Sequence, residues 1–163
     1  MRDEFSANTS HLLNLATERC TRRGARLTEL RRDVLGLVLD SASPSGAYDL
    51  MERLRRLRGG QVAPPTVYRA LDFLVEHGFI HRVERLAAFV GCIGDSDHAH
   101  QHAAQFLICE KCKKVAEIED HAIAHALADA AARIGFRLAR STIEAEGLCA
   151  VCATQSARLP PAG

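Results

Sequence analysis

The sequence lacks a long apolar run and an apolar leader near its first residue. No stretch of the 163 residues approaches the roughly 18 consecutive apolar residues of a membrane-spanning helix. Residues 1–20 contain no apolar segment of the kind that directs secretion. We therefore expect a protein that does not enter the membrane and that stays in a reducing cytoplasm, where cysteines remain free or bind metal.

Lysine is missing from the first 90 residues, and the net charge differs between the two halves of the chain. Residues 1–90 contain 14 arginines and 11 acidic residues, a net charge of +3, whereas residues 91–163 have a net charge of −2. The second half also holds five of the six cysteines. The composition is otherwise that of a soluble globular protein, with 47% hydrophobic residues. The contrast predicts two domains with different roles.

The strongest motif is a pair of Cys-x-x-Cys sequences separated by 36 residues: Cys109 and Cys112, then Cys149 and Cys152. Each short knuckle presents both sulfurs to one side, so four thiolates suit a closed tetrahedral zinc site. Redox-active or cross-linking disulfides are the alternative, and a reducing compartment disfavours them. Because a structural zinc site contributes about 10 to 16 kcal/mol to folding, we expect metal loss to unfold its surroundings.

A catalytic zinc site would need other residues around these cysteines. Zinc-dependent base deaminases combine a His-x-Glu sequence with Pro-Cys-x-x-Cys. Here Ile108 precedes Cys109 and Leu148 precedes Cys149, so the second element is missing. We therefore expect no enzyme activity; a zinc store or chaperone is a further alternative, one that has no need of a DNA-reading surface.

The basic half has three helical patterns followed by a strand hairpin. The helices are predicted near residues 28–40, 47–57 and 66–77, with Thr28 as an N-cap and Gly59 and Gly78 as stops. Residues 79–85 and 88–92 read as two short strands. This order is typical of a winged helix-turn-helix domain. An additional helix at 11–21, rich in arginine towards residue 26, is either a basic arm near nucleic acid or a solvated helix end.

The third helix carries the most information about function. Its inward stripe is predicted to be Val67, Ala70, Leu71, Leu74 and Val75. Burying that stripe leaves Thr66, Tyr68 and Arg69 projecting from the first turn. A hydroxyl, a phenol and a guanidinium at this place suit phosphate contacts and purine readout in a major groove. The pattern favours DNA binding, although helix pairs with a basic face also occur in proteins that touch no DNA.

The acidic half predicts a small α/β unit after a histidine-rich linker. Strands are expected at 104–109, 115–119 and 136–146, with a helix starting near Asp120 and ending at Gly135. The predicted inward stripe of that helix is Ile123, Ala126, Leu127, Ala130 and Ile134. A unit of about 55 residues buries little apolar surface by itself. We therefore expect it to need zinc and a second copy of itself.

A second group of metal-binding residue types surrounds the predicted domain junction. Its members are His81, Cys92, His98, His100, His102 and Glu117, which together predict a mixed nitrogen, sulfur and oxygen site. A further pair, His121 and His125, lies one turn apart on the polar face of the predicted helix, followed by Asp129. That set is either an adventitious zinc site or a solvated face.

The chain resembles the Fur superfamily of metal-responsive repressors, and most of all its zinc-responsive members. The resemblance covers residues 26–152 and is carried, besides the cysteine pairs, by Pro64-Pro65-Thr66-Val67-Tyr68-Arg69-Ala70-Leu71-Asp72-Phe73-Leu74, Gly78-Phe79-Ile80-His81 and Ile143-Glu144-Ala145-Glu146-Gly147-Leu148-Cys149. It implies an α+β protein, with an N-terminal winged helix-turn-helix domain hinged to a small C-terminal α/β dimerisation domain. The expected bounds are 1–93 for the DNA-binding domain with its helical arm, 94–103 for the hinge, 104–155 for the dimerisation domain and 156–163 for a disordered tail.

The resemblance also implies the ligands of about two Zn²⁺ ions per chain. The structural ion would be held by the four knuckle cysteines. The regulatory ion would be held by His81, Cys92, His102 and Glu117, with His98 and His100 as alternative ligands. Many relatives have a third site that uses a histidine near the last strand, but Ser141 stands in that region here, which makes such a site doubtful.

The DNA-binding residues follow from the same resemblance. Tyr68 and Arg69 match the base-reading pair, and Thr66 and Arg26 suit phosphate contacts. Glu52 and Arg55 stand where some relatives pair charges between neighbouring dimers on DNA. The implied partners are therefore a second copy of the chain and a double-stranded operator, with no membrane and no small-molecule substrate.

Two positions in the sequence indicate which metal the protein senses. A Cys92 thiolate in a His/Cys/Glu shell suits Zn(II) better than Fe(II) or Mn(II). Pro44 occupies the position where iron- and peroxide-sensing relatives carry a histidine ligand. The sequence therefore predicts a zinc-dependent repressor of zinc-uptake genes in a bacterial cytoplasm, with a regulator of iron, manganese, nickel or peroxide responses as the alternative.

Overall fold

The computed structural model describes residues 5–92, 104–139 and 141–157. The chain divides into two compact units, residues 1–100 and 101–163. The expected hinge at 94–103 and residues 158–163 of the expected tail lie outside the described residues. In the part of the chain that the structure describes, no helix combines the length and apolarity needed to cross a membrane.

The first unit opens with helix α1, Ala7–Arg22, which begins four residues earlier than predicted. The side chain of Ser6 caps it by accepting a hydrogen bond from the Thr9 amide. Helix α1 buries Leu13, Ala16 and Cys20 in the core of the unit. Cys20 therefore lies in the core as a small apolar side chain.

Three helices follow: α2, Glu29–Leu39; α3, Ala47–Arg58; and α4, Pro64–Glu76. Thr28 caps α2 as predicted, and Gly59 ends α3 in the left-handed region with φ +67°. Helix α4 starts at Pro64, two residues before the predicted start. A proline at the first helical position lacks only an N–H that would have no helical partner, so both prolines fit inside the first turn.

A small antiparallel sheet completes the wing of the first unit. Its strands are β1, Ser45–Gly46; β2, Ile80–Val83; and β3, Ala88–Gly91, in the order β1-β3-β2. A 3-10 turn at Glu84–Leu86 joins β2 to β3. The prediction missed β1, because a two-residue Ser-Gly strand has none of the β-branched alternation that marks a strand.

The core of the first unit draws on all four helices and on the wing. Its largest fully buried side chains are Leu13, Leu35, Leu50, Leu54, Leu71, Leu74, Phe79 and Ile80. The predicted inward stripe of α4 is confirmed except at Val75, which is 37% exposed. Arg19, expected on a basic arm or a solvated helix end, is buried instead.

The second unit has the strands β4, Ala104–Cys109; β5, Val115–Ile118; and β6, Thr142–Gly147. The sheet order is β5-β4-β6, with β4 antiparallel to β5 and parallel to β6. Helices α5, His121–Arg133, and α6, Ala150–Ala157, complete the unit. Strand β6 is shorter than the predicted 136–146, and α6 was not predicted.

The predicted inward stripe of α5 is not buried within the unit. Only Ala131 of this helix is buried, while Ile123 and Leu127 are more than a third exposed and Ile134, at its C-cap, is 82% exposed. Among the described residues of one chain, nothing covers this face. The stripe is therefore not buried within a single unit, and the expected second copy of the unit stays a prediction.

Candidate DNA-binding helix and metal centres

The first turn of α4 has the exposure pattern that a recognition helix needs. Val67 and Ala70 are buried, which fixes the rotation of the helix, and Thr66, Tyr68 and Arg69 are exposed between them. Tyr68 leaves 44% of its surface in solvent. Among the described residues, no carboxylate forms an ion pair with Arg69. This turn therefore presents a hydroxyl, a phenol and a guanidinium for an external partner.

Arg26 lies in the turn between α1 and α2, with its side chain exposed. Its backbone carbonyl accepts a hydrogen bond of 2.7 Å from the guanidinium of Arg31, a residue in the first turn of α2. The turn is thus held through its backbone while the Arg26 side chain faces solvent, as the predicted phosphate contact requires.

Glu52 and Arg55, predicted to pair between dimers, contact each other within one chain. Arg55 Nη1 lies 3.7 Å from Glu52 Oε2, and Arg56 Nη2 lies 3.2 Å from Glu52 Oε1. All three side chains lie on the exposed face of α3. If Glu52 and Arg55 paired between neighbouring dimers, those ion pairs would therefore replace the ones that each residue forms within its own helix.

The four knuckle cysteines come together in the second unit. Their sulfur atoms all lie within 4.8 Å of one another, and Cys112 Sγ is 3.8 Å from Cys149 Sγ. None of the six cysteines, all of which lie among the described residues, forms a disulfide. Zn–S bonds of about 2.3 Å in a tetrahedron place sulfurs roughly 3.8 Å apart, so the spacing matches a zinc site and is far beyond an S–S bond.

The parallel pairing of β4 with β6 creates this cluster. The register places Cys109 beside Gly147, and the Glu110 amide donates to the Gly147 carbonyl at 2.8 Å. Cys149 therefore follows β6 directly next to Cys109, and its amide donates to Cys109 Sγ at 3.4 Å. Cys152 lies in the first turn of α6. The left-handed residue Lys113, with φ +60°, closes the first knuckle after Cys112.

Hydrogen bonds and burial shift the pKa values of two of these thiols, Cys109 and Cys152, in opposite directions. Backbone amides of Cys112, Cys149 and Lys111 lower the pKa of Cys109 to about 6. Burial, followed by hydrogen bonds with the neighbouring cysteines, raises the pKa of Cys152 to about 12. Cys109 is therefore the more acidic of the two thiols, and a cation that binds all four sulfurs would displace the proton of Cys152.

The donor set fits zinc in number, chemistry and enclosure. Four sulfurs complete a tetrahedral shell and leave no position for water, which is the arrangement of structural sites. Bound zinc would supply a cross-link between the end of β4, the end of β6 and the first turn of α6. Cys109 and Cys152 lie buried on the inner side, and Cys112 is exposed.

Two residues of the predicted regulatory site lie together in the wing. His81 lies on β2 opposite Val90, and Cys92 follows β3 with its amide donating to the Phe79 carbonyl at 2.9 Å. A ring nitrogen of His81 and Cys92 Sγ are within 4.8 Å of each other, and both residues are half-buried. The wing hairpin therefore brings together one imidazole and one thiol.

The other predicted metal ligands are placed as follows. Glu117 is exposed on β5, opposite Phe106 of β4. His98, His100 and His102 lie outside the described residues. His121, His125 and Asp129 are exposed on α5, and no metal-binding group among the described residues includes them. Ser141 comes directly before β6.

One residue next to the predicted DNA contacts, Arg31, carries no signal in the sequence. The guanidinium of Arg31 lies over the ring of Phe73 in α4, 3.6 Å from its centroid, and also holds the Arg26 carbonyl. No periodicity or motif marks this arginine, because neither of its two contacts is visible from sequence spacing.

The fold and the sites define a class of protein: a winged-helix unit with an exposed first turn on α4, joined in one chain to an α/β unit with four cysteines that could hold a metal ion. Comparison with known proteins gives the family. The model of the ferric uptake regulator family matches residues 22–146, and the chain belongs to this family.

The relatives include zinc regulators. The zinc uptake regulation protein of Escherichia coli K12 is 43% identical over 149 residues, covering 88% of this chain and 82% of the relative. A structure described as a zinc uptake regulator complexed with zinc and DNA is similar with a TM-score of 0.85 and 39% identity, over 93% of this chain and 99% of that one. A crystal structure of holo XcZur has a TM-score of 0.80 and 40% identity, over 90% and 99%.

Proposed function

We propose that this protein is a zinc-responsive transcription regulator of a bacterial cytoplasm, a homodimer that binds palindromic operators when zinc-loaded and represses genes of zinc uptake. The observation that carries the proposal is the first turn of α4, where Thr66, Tyr68 and Arg69 are exposed beside two buried residues. The similarity to a zinc uptake regulator in complex with zinc and DNA supports it.

DNA recognition in this proposal combines base contacts with phosphate contacts. Arg69 donates to the acceptor pair of a guanine in the major groove, and Tyr68 contacts a neighbouring base. Thr66 and the exposed Arg26 bind phosphates and so set the register of the helix along the groove. The bases determine which operator is bound, and the phosphates determine how strongly binding depends on salt.

Zinc control in this proposal uses His81, Cys92, His102 and Glu117 as ligands of a second ion. The proximity of His81 to Cys92 in the wing supports the first half of this set. In the sequence, His81 and Cys92 precede the predicted hinge, whereas His102 lies in the hinge and Glu117 lies beyond it. An ion bound by all four residues would therefore select one arrangement of the two units. Only that arrangement places both recognition helices of a dimer in successive major grooves.

Dimerisation in this proposal uses the uncovered face of α5. Ile123, Leu127 and Ile134 follow one stripe of the helix and remain exposed in one chain. Contiguous apolar surface of this kind marks protein interfaces. A second copy of the same stripe is a self-complementary cover, as a twofold dimer requires.

The experiment that tests the proposal is operator binding by fluorescence anisotropy with the full chain. A palindromic zinc-uptake operator and a scrambled duplex are titrated at buffered free Zn(II), Fe(II) and Mn(II), and zinc per chain is measured by elemental analysis. We expect specific binding only with zinc, at about two zinc ions per chain.

Two other results would each contradict a different part of the proposal. Specific binding that ignores zinc or follows another metal would refute the regulatory site. Binding to neither duplex under any metal would refute DNA regulation and favour the zinc-store alternative.

A further inference from the structure

The side chain of Arg31 joins two parts of the first unit that the proposed function assigns to DNA. One part is the recognition helix α4, which contains Phe73 three residues beyond Ala70 of the inward stripe. The other part is the α1–α2 turn, which contains Arg26. Arg31 itself is half-buried in the first turn of α2 and faces both.

The contact with α4 is a stacked cation–π pair. The guanidinium carbon of Arg31 lies 3.6 Å from the centroid of the Phe73 ring. On the C-terminal side of that ring, the His77 ring stacks on Phe73 with centroids 3.9 Å apart. Phe73 thus offers the guanidinium an aromatic platform that also packs on a second ring.

The contact with the turn is a charge-assisted hydrogen bond. Arg31 Nη1 donates to the Arg26 carbonyl at 2.7 Å, at the short end of the range for such bonds. Since Thr28 caps α2 two residues later, the backbone at Arg26 has no helical partner of its own. The same guanidinium therefore holds the turn and packs on the recognition helix.

We propose that Arg31 is a positioning residue for DNA binding: it fixes the distance between the phosphate-contacting Arg26 and the recognition helix without touching DNA itself. This inference rests on the proposed function. A planar guanidinium is required, because it stacks on Phe73 through its face while donating through its edge. A lysine ammonium keeps the charge but cannot do both.

The first test is the salt dependence of operator binding in Arg31→Lys. This variant has the charge of the wild type. A change in the slope of log K against log salt therefore reports lost phosphate contacts rather than a lost charge. Each lost phosphate contact lowers the slope of log K against log salt by about 1, and so by about 2 for a dimer. We expect the slope to decrease by this amount on both specific and scrambled DNA. Anisotropy titrations over a series of KCl concentrations at saturating zinc measure it.

The matched control is Arg32→Lys. Arg32 is also half-buried on α2, but its guanidinium donates to Thr17 Oγ1 at 3.1 Å and Asn14 Oδ1 at 2.9 Å, both on α1. We expect both variants to lower the melting temperature slightly and only Arg31→Lys to change the slope. A purely structural role for Arg31 predicts equal behaviour of the two variants, and that result would overturn the proposal.

A double-mutant cycle tests whether Arg31 acts through Arg26. Adding Arg31→Lys to Arg26→Ala should leave affinity and slope at the values of Arg26→Ala alone, because the positioned side chain is already gone. If Arg31→Lys weakens binding by the same factor in both backgrounds, Arg31 acts independently and the proposal is wrong. Phe73→Leu, which removes the platform and leaves both arginines, should reproduce the loss of slope.

Failure of this proposal is distinguishable from failure of the proposed function. A wild-type protein that binds neither duplex overturns both. A wild-type protein that binds its operator with zinc, while Arg31→Lys and Phe73→Leu keep the wild-type slope, overturns only the role of Arg31.

Discussion

Cys109 and Gly147 lie side by side at the ends of the parallel strands β4 and β6. This single register brings the second cysteine pair to the first, because Cys149 follows Gly147 by two residues and its amide donates to Cys109 Sγ. The four-cysteine cluster is therefore built on sheet pairing, and a zinc ion bound there would in turn hold the ends of β4 and β6 together.

Replacing Cys112 by serine should unfold the second unit, whereas replacing Cys92 should not. Cys112 is one of four sulfurs that complete a closed shell, and losing one ligand removes much of the folding energy that zinc supplies. We expect Cys112→Ser to lose its structural zinc, the dimer peak in gel filtration and the part of the helical circular dichroism that α5 and α6 contribute.

Cys92→Ser is the matched control, since it removes the thiol next to His81 in the wing. This variant should remain a folded dimer with about one zinc ion per chain and without zinc-induced operator binding. Equal behaviour of the two serine variants would show that the division into structural and regulatory sites is incorrect.

Arg69→Ala should weaken operator binding by about 1 to 3 kcal/mol and relax preference at one base position, because a bidentate contact to guanine carries that much discrimination. Zinc content should not change. Arg133→Ala, which removes an exposed arginine of α5, provides the control. Competition titrations with single-base operator variants measure the effect. Wild-type selectivity in Arg69→Ala would exclude α4 from base recognition.

Leu127→Glu should convert the dimer to a monomer, because it places a charge in the middle of the exposed apolar stripe of α5. Loss of a central interface contact costs about 2 kcal/mol or more, a factor of about 30 in the dissociation constant. His125→Glu puts the same charge on the opposite face of α5 and should leave the dimer intact. Sedimentation equilibrium distinguishes the outcomes, and an unchanged dimer in Leu127→Glu would place the interface elsewhere.

Thr9→Val should raise the pKa of Asp40. Thr9 Oγ1 donates to Asp40 Oδ1 at 2.8 Å, and this bond, followed by one from Ser6, holds the pKa of that carboxyl below its ordinary value. A lowered folded-state pKa stabilises the protein above the pKa of the unfolded chain, and the contribution is lost as pH falls through the folded pKa. The destabilisation caused by Thr9→Val should therefore be largest near neutral pH and shrink in acid.

The control for this prediction is Thr17→Val on the same helix, whose hydroxyl donates to the Leu13 carbonyl rather than to an acid. An NMR titration of the Asp40 carboxyl carbon and urea unfolding at pH 6 and pH 3 measure both effects. An Asp40 pKa that Thr9→Val leaves unchanged would show that another group controls the carboxyl.

Local sequence signals predicted most elements of both units. These signals act within one or two turns of the chain, so residues that are close together in the sequence reveal them. Examples are the N-cap Thr28, the helix stop Gly59 and the buried stripe of α4. Local signals do not predict the short strand β1 or helix α6. Strand β1 has only two residues, Ser-Gly, and α6 has eight residues that follow a cysteine of the cluster, so both depend on partners that are distant in the sequence. The burial of Arg19 was missed for the same reason.

Residue types and short spacings account for the chemistry of this protein: four cysteines in two knuckles, an imidazole and a thiol near the wing, and a tyrosine and an arginine on one helix turn. These features can be predicted from the sequence, because they depend on side-chain type and helical period. Three others are visible only in the folded chain: β4 and β6 run parallel, the stripe of α5 lies uncovered, and Arg31 joins Arg26 to Phe73. Those are contacts between segments distant along the chain, and no local pattern records them.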